Sequence, residues 1–188
     1  MFTHTKSDYR RHGSSVLNPA FWIISNYRFG KWIWTLKFAP FRWLLSKVYG
    51  LISLFLLLTT GDILGRETKI GKNYHIIHSG GTKINPHAII GDNVGIMHGV
   101  TLGSNMDRPG APIIGDNVYI GTGAVVIGKI TIGDNSRISA NSLVVSDVPP
   151  NTTAIGVPAR IIKYTGRTYS KHEKSNKTSK SEDLERQV

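Results

Sequence analysis

Through the middle of this chain an aliphatic residue returns at every sixth position, often with glycine next. The series runs Ile70-Gly71, Ile84, Ile90-Gly91, Ile96, Leu102-Gly103, Ile114-Gly115, Ile120-Gly121, Val126, Ile132-Gly133, Ile138 and Val144. A period of six fits no helix, and it is too long for the simple alternation of a half-buried strand. Four positions after these aliphatics stand small or β-branched residues: Ala88, Val94, Val100, Val118, Ala124, Ile130, Ser136 and Ser142. Such a pattern predicts a parallel β-helix, in which three short strands make one coil and the aliphatics stack in the interior. About ten positions agree, as they must where each coil buries its apolar face only against the next. Asp92-Asn93, Asp116-Asn117 and Asp134-Asn135 each follow a glycine and are placed at corners, where Asn and Asp tolerate a left-handed backbone. The period does not fix the handedness of the coil.

The chain has 188 residues, which suits one domain with accessories, and it contains no cysteine. Disulfides, thiolate metal sites and an acyl-cysteine intermediate are therefore excluded. The net charge of +11 is unevenly placed. Residues 1–60 carry 8 basic residues and 1 acidic one, residues 61–165 carry 9 and 7, and residues 166–188 carry 6 and 4. A nearly balanced repeat region argues against a nucleic-acid interface there, which would need clustered Lys and Arg. Three zones result: an N-terminal helical segment (1–64), the repeat domain (65–165) and a polar, basic tail (166–188) expected to be disordered.

The N-terminal zone opens on a polar, basic stretch without the apolar core of a secretory signal, so the expected location is the cytoplasm. Asn18-Pro19 suits an N-cap and a first helical position, and Pro40 is expected to end that helical segment. A second helix is expected from Phe41 to about Thr59; its uncharged run, Val48 to Gly61, is 14 residues, short of the ~20 that span a bilayer. All four tryptophans (Trp22, Trp32, Trp34 and Trp43) lie here beside the basic excess. Two readings stand: a packed helical hairpin or oligomer interface, or a helix pair (residues 19–60) on an anionic membrane surface at the inner face of the membrane.

Two breaks in the six-residue register point to function. One is the eight-residue step from Ile76 to Ile84; the other, between Leu102 and Ile114, reads as a loop excursion through GSNMDRPGAP. Counting from the interior aliphatics across the two-residue insertion puts His78 and His98 in one column on successive coils, at about the ~4.8 Å strand spacing. Two histidines without a third ligand are too few for a closed zinc site, and no metal is expected. His75 and His87 read as solvent or packing residues.

The stretches IIHSGGTKINPHAIIGDNV, MHGVTLG, GAPIIGDNVYIGTGAVVIGKITIGDN and VPPNTTAIGVPARII, over about Gly61 to Tyr164, resemble the serine acetyltransferase-like branch of the left-handed β-helix acyltransferases. The left hand comes from this resemblance. Within the branch, MHGVTLG and the short GAP segment look more like the capsule and exopolysaccharide O-acetyltransferases than the enzymes of cysteine synthesis. The resemblance implies a homotrimer, with acetyl-CoA and a hydroxyl-bearing acceptor meeting in a groove between subunits. It places His78 as general base, with His98 and Asp62 as weaker candidates, Asp62 as the carboxylate that orients the base. It places Gly103, Ser104, Thr122 and Ala140 along the pantetheine arm of the co-substrate, and Arg160 and Lys163 at its phosphates. Backbone N–H groups of the Gly-rich turns are expected to hold the oxyanion.

There are departures. Ala111 stands where the cysteine-pathway enzymes carry a second histidine that helps bind serine. Asp62 is one residue further from His78 than the pattern, with Ile63 at the aligned position, and Ile77 replaces the Asp that usually precedes the base. The expected function is therefore acetyl transfer to a saccharide hydroxyl of a surface polysaccharide or its lipid-linked precursor. Serine O-acetylation is the alternative, and a non-catalytic β-helix scaffold comes third.

Overall fold

A computed structural model describes residues 2–13, 15–105 and 109–163, with side chains from Lys6 onward. Three helices, α1 (Phe2–Arg11), α2 (Pro19–Ile33) and α3 (Ala39–Thr60), precede fifteen short strands, β1 to β15 in chain order. The strands form a parallel solenoid with three faces. The first face stacks β1 (Ile63–Leu64), β4 (Lys83–Ile84), β7 (Thr101–Gly103), β10 (Val125–Ile127) and β13 (Leu143–Val144). The second stacks β2 (Lys69–Ile70), β5 (Ile89–Ile90), β8 (Ile113–Ile114) and β11 (Thr131–Ile132). The third stacks β3 (His75–Ile76), β6 (Gly95–Ile96), β9 (Tyr119–Ile120), β12 (Arg137–Ile138) and β14 (Thr152–Ile155), closed by the antiparallel β15 (Arg160–Lys163).

The repeat maps onto this directly. Ile76, Ile84, Ile90, Ile96, Leu102, Ile114, Ile120, Val126, Ile132, Ile138 and Val144 are all buried, as are Ala88, Val94, Val100, Val118 and Ala124 from the second series. At one corner the Asp-Asn pairs form two ladders. The carboxylates of Asp92, Asp116 and Asp134 accept the backbone N–H of Lys72, Asp92 and Asp116 in the preceding coil at 2.7–2.8 Å. Beside them Asn73, Asn93, Asn117, Asn135 and Asn151 hand amide bonds from coil to coil at 3.0–3.2 Å, each with φ between 54° and 59°. Asparagine suits both demands, a left-handed backbone and a side chain that donates and accepts. Gly91 and Gly115 precede these corners because a Cβ there would run into the carboxylate of the next coil.

The helices are stitched to the first coil. Tyr27 of α2 donates its hydroxyl to the Thr68 carbonyl (2.8 Å), and Arg28 donates to the Ile70 and Gly71 carbonyls (3.1 and 2.7 Å) while pairing with buried Asp8 of α1 (3.2 Å). Asn18 caps α2 by accepting from Ala20 N–H at 3.0 Å, as expected. Two boundaries differ from expectation. α2 stops at Ile33, and Pro40 starts a helix instead of ending one: it sits in the first turn of α3, where its missing N–H has no intrahelical partner to lose. Helix α3 runs on to Gly61, whose left-handed backbone (φ 71°) caps it. Its 22 residues are long and apolar enough to cross a membrane by length and composition. The solenoid begins at Ile63, whose strand pairs with β4. The tail 166–188 lies outside the described residues.

No capping or apolar pattern announces α1, which forms from the polar, basic opening stretch. Its register is set by His12, which is buried: Nδ1–H donates to the Asp8 carbonyl (2.7 Å) and Nε2 accepts the N–H of Ile76 (3.2 Å), while the ring meets His75 edge-on at 5.0 Å. Since Nε2 must accept, the bond holds only for the neutral ring. Burial lowers the His12 pKa, and burial, with the unfavourable neighbourhood of the His12 imidazole and the Arg11 charge, pushes His75 down to about 4. Unfolded histidine titrates near 6.5. Between those values the unfolded chain holds protons that the native chain does not, so the stability these histidines contribute is complete above about pH 6.5 and is lost as pH falls toward 4. The melting temperature is expected to drop steadily from pH 7 to 4.5, and His75→Gln is expected to flatten that slope. An equally steep slope in the variant would remove His75 from the account.

Candidate active site

Strand pairing gives the site its frame. Ile76 pairs with Ile96, Ile96 with Ile120, and Ile120 with Ile138, so the residues two further on, His78, His98, Thr122 and Ala140, occupy one column at one corner of the solenoid. The histidines meet as the register count predicts: their rings lie 6.2 Å apart, tilted by 59°, and both side chains are exposed. Gly80 and Gly81 (φ 141° and 71°) take up the two-residue insertion after His78. Coils one and two differ in length here, because Ile63 pairs with Lys83 while Lys83 pairs with Thr101.

Asp62 is buried, and its carboxylate accepts the N–H of Gly80 (3.0 and 3.2 Å) and of Thr82 (2.8 Å). Among the described residues its hydrogen bonds run to the turn that follows His78 and to no imidazole. It therefore holds the backbone that carries the histidine. The sequence showed a carboxylate near the right distance but not that the inserted residues would fold back onto it. Burial, and to a lesser extent the Asp62 charge, raises the pKa of the buried Tyr74, which keeps that phenol neutral.

The glycine turns do not offer the expected oxyanion donors at four positions. Gly80 N–H is taken by Asp62, Gly81 N–H by the Thr60 carbonyl (2.9 Å), Gly99 N–H by the Gly80 carbonyl (2.8 Å) and Gly123 N–H by the His98 carbonyl (3.0 Å). These bonds instead lock the column from coil to coil.

Of the expected co-substrate positions, Thr122 and Ala140 continue the histidine column, presenting small side chains where a slender arm could lie. Gly103 and Ser104 sit one corner further on, where Gly103 pairs with Ile127 at the base of the loop excursion. Arg160 and Lys163 are separated: Arg160 pairs with Ile155 and Lys163 with Thr152, at opposite ends of the β14–β15 hairpin. Since Ala154 pairs with Ile138, the Arg160 end is the one beside Ala140 and the column. Lys163, about 10 Å away along the strand, is poorly placed to act with it. Ala111 is half-buried against the core near the start of β8.

Comparison with known proteins places the fold in a family. The profile of the family described as bacterial transferase hexapeptide (six repeats) matches residues 111–146. The serine acetyltransferase of Staphylococcus epidermidis strain RP62A is 44% identical over 114 residues, covering 60% of this chain and 54% of its own. The crystal structure of serine acetyltransferase from Brucella abortus strain S19, also solved with coenzyme A, superimposes with a TM-score of 0.68 at 31% identity over 88% of this chain and 68% of that one. Soybean serine acetyltransferase complexed with serine gives a TM-score of 0.71 at 30% identity, over 85% and 68%. The chain thus spans about half the length of the first curated relatives it matches. These relatives overturn the expectation of a capsule or exopolysaccharide O-acetyltransferase, which rested on MHGVTLG and the GAP segment: the chains found are serine acetyltransferases. A short motif beside one loop weighs less than identity spread along the whole solenoid. The chain belongs to the hexapeptide-repeat, left-handed β-helix acyltransferases, in the branch of the serine acetyltransferases.

Proposed function

We propose that this protein is an acetyl-CoA-dependent serine O-acetyltransferase in which His78 is the general base. The observation that carries the reading is the exposed pair His78 and His98 on successive coils, with the turn after His78 braced by buried Asp62, in a chain whose relatives are serine acetyltransferases. Acetyl-CoA, when bound, supplies a thioester carbonyl. The chain's own work is then to hold an acceptor hydroxyl within hydrogen-bond reach of a His78 ring nitrogen, to take its proton as the oxygen attacks that carbonyl, and to return the proton to the sulfur as the C–S bond breaks and CoA leaves as the thiol. The absence of cysteine fits direct transfer in a ternary complex. Thr122 and Ala140 would flank the pantetheine arm, with Gly103 and Ser104 further along it. Arg160, at the end of the column, is the better placed partner for the phosphates. A homotrimer, with the groove between subunits, belongs to the same proposal, as does a cytoplasmic location.

Ala111 shapes the acceptor side. Without the second histidine there, His98 is the imidazole left to meet the amino acid. Release of CoA from acetyl-CoA is expected to require L-serine and to show a high KM for it. Release that is indifferent to serine would overturn the acceptor, and no release at all would leave the solenoid as a scaffold.

A further inference from the structure

Helix α3 carries two faces that the proposed chemistry does not explain. Residues spaced along one side, Ser46, Tyr49, Ser53, Leu56 and Thr60, tie it to the body. Arg66 donates to Ser46 Oγ (3.4 Å) and stacks over Tyr49 (5.1 Å), Asn26 donates to Ser53 Oγ (2.8 Å), Leu56 packs against the core, and the Thr60 carbonyl accepts from Gly81. The opposite side, Leu44, Val48, Leu51, Phe55 and Leu58, repeats at four- and three-residue steps and is open to solvent; Leu51, Phe55 and Leu58 are 70%, 65% and 76% exposed. No residue of this 22-residue helix is buried.

A continuous apolar stripe of this kind needs cover. What covers it is indicated by charge. From Tyr9 to Gly61 the chain has no acidic residue, against seven basic ones: Arg10, Arg11, Arg28, Lys31, Lys37, Arg42 and Lys47. Four of these gather where the end of α2 meets the start of α3, among exposed Trp34, Phe38 and Trp43. Lys31 lies over Trp34 (5.9 Å) and Lys47 over Trp43 (5.5 Å). Lys47 also falls on the apolar side of α3, four residues before Leu51. A second copy meeting this face would bring equal positive fields together. An anionic lipid surface complements them, with tryptophan rings and snorkelling lysines at headgroup level and aliphatics below.

Length and composition alone would let α3 cross a bilayer, but a spanning helix is surrounded by lipid or membrane-embedded partners. Here bonds from Asn26, Arg66 and the Gly81 turn hold one side of the helix from Ser46 to Thr60. We infer that α3 lies flat in the surface of an anionic bilayer, inserting Leu44, Val48, Leu51, Phe55 and Leu58 while its basic, aromatic end engages the headgroups. The Thr60–Gly81 bond then joins the membrane-bound helix directly to the turn that follows His78. This inference does not depend on the acceptor, nor on the protein being active.

Flotation of the full chain in a density gradient tests it. With vesicles of equimolar phosphatidylglycerol and phosphatidylcholine the protein is expected to float, with at least ~10-fold more in the lipid fraction than with phosphatidylcholine alone. High salt should reduce that ratio. Leu51→Glu/Phe55→Glu/Leu58→Glu, which changes exposed positions only, is expected to stay at the bottom while melting at the wild-type temperature. Equal flotation on both vesicles, or none on either, overturns the inference. So does wild type that stays at the bottom and sediments as an assembly that the triple variant breaks, since the stripe would then join copies of the chain.

Discussion

His78→Ala is expected to lower serine-dependent CoA release by about 10²–10⁴-fold, the range that a positioned general base contributes. That corresponds to about 3–5 kcal/mol of lost transition-state stabilisation. The fall should be in kcat at saturating serine, because the proton leaves the hydroxyl as the new bond forms and not on binding. Stability gives the control. The His78 side chain is exposed and, among the described residues, holds no bond that braces the coil, so the variant should melt within a degree or two of wild type. His98→Ala separates the two imidazoles. Standing next in the column with its ring 6.2 Å from His78, it is expected to raise the KM for serine more than it lowers kcat. If His98→Ala abolished turnover while His78→Ala retained it, the roles would be exchanged. Full activity in both would place the chemistry elsewhere.

The solenoid could be read because each of its rules is local. The interior tolerates only an aliphatic at a fixed step, the corner only a residue at ease with positive φ, and Asn93, Asn117 and Asn135 meet the second demand wherever the first is met. Alignment of His78 with His98 followed from the same counting, since an insertion of two residues restores the face that an insertion of one would have lost. What could not be read depends on contacts distant in sequence. His12 acts on Ile76 across 64 positions, and a histidine in a basic, polar stretch carries no sign that its Nε2 will accept a backbone N–H from the core. Asp62 was visible as a carboxylate near the base, yet its function depends on where the Gly80 and Thr82 amides point. Pro40 is ambiguous by nature, because proline both terminates a helix and suits the first turn of the next, and only the packing of α3 on α2 decides. The acceptor is hard to read for a related reason: a loop motif says little about specificity, which is set by groups that converge from several elements.

Asp62→Ala should show how far the site depends on that buried brace. Removing the carboxylate leaves two N–H groups, one of them on buried Thr82, without their acceptor, and bonds to a charged acceptor are worth more than neutral ones. A loss of about 2–4 kcal/mol follows, or roughly 5–15 °C in melting temperature for a chain of this size. Activity should fall as well, because the freed turn no longer fixes His78. Asp62→Asn separates bracing from electrostatics. Its single amide oxygen can keep the Thr82 bond, so the variant should recover much of the stability and of kcat. If Asp62→Asn melted like wild type but lost as much activity as His78→Ala, the negative charge itself would be acting on the imidazole, and the carboxylate would be the orienting partner that the sequence pattern suggests. Bracing and orientation thus differ in one variant: the first requires stability and turnover to move together, and the second requires them to part.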